Sequence, residues 1–384
     1  MKKSCEYLVV GGGIMGLAIA YNLAKKGAKD VVLVEQQYLG YGSTGRCGTG
    51  IRQQYARPER AIMGRECIKL WENLSEELGS DCGFVQGGYC YALYDEDWIP
   101  RYEGYAKMHN ELGIPTRIIS PDELSEIVPL FNTEGVRAAT YCHTDGKANP
   151  FATVCSYAIA SKRLGVDIYQ YTEVSGIEEK DDGGWRVTTN KGNIEARELI
   201  IAGGSWSCLL GDMIGIEIPV QPFVEEALVT EPLAEGIIKP LLNVKTPKFD
   251  DFWLTQTTVN NGVIMGWGHM QWMSGEVSYD MTTSQKYAHK ALWNLVRAFP
   301  SFANVNIVRH FSGFYDVVPD REPIVSKVPG KNLHVALAAT FMHAPICGQA
   351  IAEMLTDGAC TCIPIDFCRI ERFTDGTKIE AMPY

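Results

Sequence analysis

Residues 7–35 constrain this chain more than any other stretch. An apolar run, Tyr7-Leu8-Val9-Val10, leads into Gly11-Gly12-Gly13-Ile14-Met15-Gly16. An Ala- and Leu-rich helix is expected from about Leu17 to Lys26, and a second strand, Val31–Val34, ends on Glu35 and Gln36. Strand, G-x-G-x-x-G turn, helix and acidic strand end together form a dinucleotide-binding βαβ unit. Gly11 allows the tight turn, Gly13 lets the backbone approach a pyrophosphate, and Gly16 lets the helix pack closely on the strand. The helix tip offers unpaired N–H groups and a positive dipole end to phosphates. A carboxylate at position 35 accepts from ribose hydroxyls and disfavours a 2′-phosphate, so FAD or NAD is expected over NADP.

With 384 residues, 46% of them hydrophobic, the chain is long enough for two domains. It has no apolar run of about 18 residues, so no integral membrane segment is expected. Met1-Lys2-Lys3 resembles the start of a signal peptide, but Glu6 and the glycines interrupt the apolar run that should follow. The net charge of −11 argues against nucleic acid as a partner. Twelve cysteines without a secretion signal suggest reduced thiols in a cytoplasm. Cys360, Cys362 and Cys368 cluster, yet no Cys or His pair completes a ligand spacing. They read as small thiols, and no metal site is expected.

Further along lies a glycine-rich loop with hydroxyls, from Tyr41 to Gly50. Helices are expected at 58–78, 97–113, 151–164, 284–298 and 345–356, and strands at 84–95, 167–174, 184–189, 193–196, 199–202, 310–315 and 333–337. Residues 216–275 read as strands joined by turns such as Asn260-Asn261-Gly262. The order implies an α/β, Rossmann-type dinucleotide-binding domain with an inserted, mainly antiparallel β-sheet substrate domain. The first would use 1–83, 145–215 and 310–384; the second, 84–144 and 216–309.

These motifs, in this order, resemble the D-amino-acid-oxidase-type flavoproteins, which include glycine oxidase, sarcosine oxidases and dye-linked proline dehydrogenases. The likeness rests on Gly11 to Glu35, Gly42-Ser43-Thr44, Asp145-Gly146 with Pro150, Ala202-Gly203-Gly204-Ser205-Trp206, and Gly313 with Pro319-Asp320 and Pro323-Ile324. Within that family, residues 42–55 and 144–148 are most similar to the β subunit of heteromeric dye-linked L-proline dehydrogenase.

The resemblance implies FAD. Gly11, Gly13, Ile14, Met15 and Gly16 would face the pyrophosphate, and Glu35 and Gln36 the adenosine ribose. Ser43 and Thr44 would hydrogen-bond the pyrophosphate or ribityl chain, followed by Gly48, Thr49 and Gly50. Val174 would hold adenine through its backbone. Ala202, Gly203, Trp206 and Gly313 would line the nucleotide, with Asp320, Thr340, Phe341 and Met342 near the flavin.

It also implies hydride transfer from the α-carbon of a small amino or imino acid to flavin N5. Arg52 would anchor the substrate carboxylate. Tyr315 matches an active-site tyrosine of sarcosine oxidases, and His343 would replace a lost flavin-loop histidine. His269 and Trp253 are further candidates for the cavity wall. Two departures shape the expectation. Gly262-Val263-Ile264-Met265-Gly266 lacks the lysine of oxidases, which favours a dehydrogenase. The loop Leu337–His343 is about three residues short and without glycines, which brings in a non-catalytic FAD-binding subunit as an alternative; a 2-hydroxy-acid dehydrogenase is another. Partner subunits bearing an iron–sulfur centre or second flavin are implied, with FMN at a subunit interface as a further implication.

Overall fold

A computed structural model describes residues 1–246, 251–267, 279–377 and 379. His269 lies outside them. Two eight-stranded sheets organise the chain. In the first, Ser4–Val10 sits in the middle, pairing in parallel with Val31–Val34 on one side and Gly192–Ile201 on the other. Asp167–Tyr169 and Leu333–Leu337 extend these edges in parallel. Ile324–Lys327 and the hairpin formed by Val174–Glu179 and Trp185–Thr189 add antiparallel pairs. Near-continuous apolar strands such as Tyr7–Val10 and Val31–Val34 suit a sheet covered on both faces.

Helices Ile14–Lys25, Pro150–Arg163 and Thr340–Thr356 cover one face through Leu17, Ile19, Tyr157 and Ile351. The helix Pro58–Leu78 packs behind the last of these, and Gly79 ends it in the left-handed conformation, φ 68°. On the opposite face Trp185, Val187, Ile194 and Ile218 close a second core.

The second sheet runs Ile307–Val317, Gln221–Thr230, Val263–Trp267, Phe252–Gln256, Leu241–Lys245, Tyr89–Leu93, Ala138–Cys142, Thr116–Ile119. All its pairs are antiparallel except Leu241–Lys245 with Tyr89–Leu93. Helix Gln285–Ala298, capped by the Ser284 hydroxyl on the Tyr287 N–H, packs Ala291 and Leu295 against one face. The other face looks toward the first sheet and carries the site.

Several sequence expectations shift. Residues 310–317, read as part of the dinucleotide-binding half, belong to the second sheet, because Ile307–Val317 pairs along its length with Gln221–Thr230. The chain re-enters the first sheet only at Ile324. The expected strand at 167–174 stops at Tyr169, since Tyr171 turns left-handed at φ 51°. The last helix starts at Thr340 rather than Pro345, so the proline lies inside it.

Candidate functional site

The fingerprint turn folds as its glycines require. Gly11 has φ 119°, and a Cβ there would lie 2.3 Å from the Ala202 carbonyl oxygen. Beside Gly13, by contrast, a Cβ would meet only the Thr44 hydroxyl, at 3.2 Å; its open side is cavity. Gly16 does not line that cavity. It presses on the Gly11 carbonyl oxygen, 2.0 Å from a built Cβ, and so brings helix and turn together.

The cavity, about 870 Å³, lies between the two sheets. Its first-sheet wall holds Gly11, Gly13, Ile14, Met15, Glu35, Gln36, Val174, Ala202, Gly203 and Trp206. Ser43, Thr44, Gly48, Thr49, Gly50 and Arg52 form its roof. Gly313, Tyr315, Thr340, Phe341 and Met342 close the far side. All of these are positions expected from sequence to hold cofactor or substrate.

These residues fit an extended dinucleotide. The Ile14 N–H at the helix tip donates to Thr44 Oγ1 at 3.1 Å, which leaves the Thr44 O–H to donate outward. Glu35 accepts from the Gly12 and Gln37 N–H groups at 2.7 and 2.8 Å, and each oxygen retains a lone pair. The Thr49 and Thr340 hydroxyl oxygens are buried without a partner among the described residues, which calls for a polar ligand.

The segment from Ser43 to Arg52 crosses the face of the second sheet. Arg46 lies over Gly313, Gly48 meets the Trp253 ring, and Gly50 meets Leu241. At its end Arg52 is buried in a tyrosine cage. Its guanidinium lies 4.6 Å from the Tyr55 ring centre and 5.7 and 5.8 Å from those of Tyr89 and Tyr91, and Nη1 donates to the Tyr89 and Tyr91 hydroxyls. Asp145 fixes this turn. Its carboxylate accepts from the Gln53 backbone N–H (2.9 Å), Gln53 Nε2 (3.0 Å) and Gln54 Nε2 (3.1 Å). Burial pushes the Asp145 carboxyl up to about 6.

Sequence reasoning missed Glu225. It lines the cavity from Gln221–Thr230, is half-buried, and accepts from Trp253 Nε1 at 2.8 Å and from Tyr315. Burial pushes it up to about 7. Trp253 reaches it because residue 266 is glycine; a Cβ there would stand 2.6 Å from the indole. Tyr89 and Asn243, joined at 2.6 Å, were also missed. Strand alternation marks such residues only as facing one side.

Two expected site residues lie elsewhere. Asp320 faces away from the cavity and forms a buried two-point ion pair with Arg372, at 2.6 and 3.0 Å. Two buried charges that close must pair, and that pairing fixes the orientation of Asp320. His343 is likewise absent from the cavity wall. Helical spacing turns it inward, where its Nδ1 meets the Ala339 carbonyl oxygen at 2.7 Å. Burial, with Arg60 and Arg52 nearby, holds it down at about 3, a neutral imidazole.

The shortened loop keeps a glycine-like path without glycine. Ala338 and Thr340 adopt φ 57° and 61°. The Ala338 N–H donates to Asp316 at 2.5 Å, and Trp71 Nε1 donates to the Met342 carbonyl at 2.7 Å. These anchors hold a backbone that L-residues otherwise avoid.

Comparisons with known proteins agree with this arrangement. Residues 6–354 match the family model described as FAD dependent oxidoreductase. The chain is 30% identical to sarcosine oxidase subunit beta of Arthrobacter sp, over 99% of this chain and 93% of that protein. The corresponding subunit of Rhodobacter capsulatus is 29% identical, over 93% and 86%. Among solved structures, L-proline dehydrogenase from P. horikoshii superposes with a TM-score of 0.91 at 34% identity, covering 98% of this chain and 99% of that one. By family match, fold and site, the chain belongs to the D-amino-acid-oxidase-type family of FAD-dependent oxidoreductases.

Proposed function

We propose that this protein is an FAD-dependent dehydrogenase that oxidises the CH–NH bond of a small amino or imino acid. The observation that carries the reading is Arg52: a buried guanidinium held by three tyrosines in the cavity that also contains the fingerprint turn. Bound FAD supplies the hydride acceptor. Arg52 pairs with the substrate carboxylate as a planar fork. Glu225 and Tyr315 offer a carboxylate and a hydroxyl to the substrate amine. The tyrosines and Trp253 exclude water, which strengthens each of these contacts.

Proline, hydroxyproline and sarcosine fit this chemistry, and relatives named for proline and sarcosine support it. His343, one of the two histidines that a 2-hydroxy-acid dehydrogenase could use as base, does not line the cavity; the other, His269, lies outside the described residues. The glycine-like backbone at Ala338 and Thr340 weighs against the non-catalytic subunit. The names of the sarcosine oxidase relatives support a β-type subunit in a heteromeric complex. Its partners would pass electrons on through an iron–sulfur centre or a second flavin such as FMN. No helix among the described residues is long and apolar enough to cross a membrane.

The test is anaerobic. The chain, alone and with its co-purifying subunits, is mixed with proline, hydroxyproline, sarcosine, D-amino acids and opines while the flavin spectrum is recorded. Bleaching by one of them is expected and names the substrate class. A flavin that stays oxidised with every amine in the full complex overturns the reading.

A further inference from the structure

The C-terminal thiols lack a complete ligand set in sequence, but the fold supplies a third ligand. After helix Thr340–Thr356 the chain doubles back, bringing Cys360 and Cys362 over Glu353 on that helix. One ligand atom from each of the three residues lies within 4.8 Å of the others. The two sulfurs are 3.7 Å apart. Two thiolates bound to one tetrahedral ion at about 2.3 Å stand about 3.8 Å apart, so the pair already has the edge length of such a site.

Glu353 both builds the loop and faces the thiols. Its Oε2 accepts from the Thr361 N–H (2.7 Å), the Thr361 hydroxyl (3.1 Å) and the Cys362 N–H (3.1 Å). Its Oε1 accepts only from Gln349 Nε2 (2.8 Å) among the described residues, which leaves a lone pair for a cation. Both cysteines are half-buried, so the position is reachable from solvent. The other charged groups here are Lys26 and Asp357, paired to each other at 2.7 Å.

We propose that Glu353, Cys360 and Cys362 bind a borderline-soft divalent cation of the zinc type, with water as the fourth ligand. Binding forms two metal–sulfur bonds and one metal–oxygen bond and releases both thiol protons to solvent. Three protein ligands of this kind would clasp the C-terminal segment to the last helix. That segment carries Arg372, the partner of Asp320.

The flavin-loaded chain, purified without chelator, is analysed for metal and then titrated with Co2+ after chelation. The expected result is stoichiometric zinc and, with cobalt, the long-wavelength bands of a tetrahedral thiolate site, which lie beyond oxidised flavin. C360S and C362S should abolish those bands, and E353Q should weaken binding roughly 10- to 100-fold. C155S, which removes an exposed thiol elsewhere, should change nothing. Flavin content and melting temperature report that each variant is folded. Absent bands, bands that persist in C360S, or a Cys360–Cys362 disulfide in the freshly isolated, anaerobically prepared chain would each overturn the proposal.

Discussion

Trp253 lies flat across Gly266 and donates its indole N–H to Glu225 at 2.8 Å. The contact spans a whole strand, from Phe252–Gln256 over Val263–Trp267 to Gln221–Thr230. It holds a half-buried carboxyl on the cavity wall, where the donors it receives are neutral.

The Glu225 carboxyl, raised to about 7, makes stability depend on pH. A folded-state value above the unfolded one gives stability that is complete below the unfolded value and is lost as pH rises through about 7. E225Q has no such loss. Its stability relative to the parent should therefore rise by about 3 kcal/mol between about pH 5 and pH 8. Paired melting curves across that range check this; parallel curves would refute it.

Arg52 is expected to govern substrate and not flavin. R52M should keep its flavin absorbance while kcat/KM for the reducing amino acid falls about 100-fold or more, near 3 kcal/mol for a lost charged pairing. R52K should recover little, because an ammonium lacks the planar fork. Stopped-flow reduction measures both.

The two fingerprint glycines should fail differently. G13A adds a methyl to the cavity side and should fold normally but lose flavin, read from the visible spectrum. G11A drives a Cβ into the Ala202 carbonyl and should destabilise the chain by several kcal/mol, about 3 or more. Equal melting temperatures for the two would contradict the assignment.

Asp320 should matter for the fold rather than for the flavin. Breaking its buried pair in D320N leaves Arg372 uncompensated, at a cost of about 3–5 kcal/mol. The melting temperature should drop, while the flavin spectrum of the surviving folded protein stays that of the parent. A shifted spectrum with unchanged melting would return Asp320 to the site.

The sequence made the dinucleotide turn legible because its residues are local: Gly11, Gly13 and Glu35 act within one βαβ unit. The position of Arg52 on the cavity wall agrees with what the resemblance implied; its role stays a proposal. Asp320 and His343 misled because neighbourhood along the chain says nothing of direction. One turns to Arg372, the other inward to the Ala339 carbonyl. Glu225, Tyr89 and Asn243 stayed hidden because each gains meaning only when strands distant in sequence align. The loop at 337–343 reads as short and without glycine, yet Ala338 and Thr340 take left-handed conformations there. Hydrogen bonds from Ala338 and to Met342 impose the conformation that glycine would adopt freely.

Gln53 and Asp145 meet across 92 positions of chain, and Tyr315 meets Glu225 across a further long excursion. The corner around Arg52 therefore cannot exist on a growing polypeptide until Asp145 has left the ribosome, nor be walled until Tyr315 has followed. The nucleotide turn, complete by Glu35, is made early. Its walls, at Val174, Ala202 and Thr340, come much later, so neither half of the site closes until the last helix has been made.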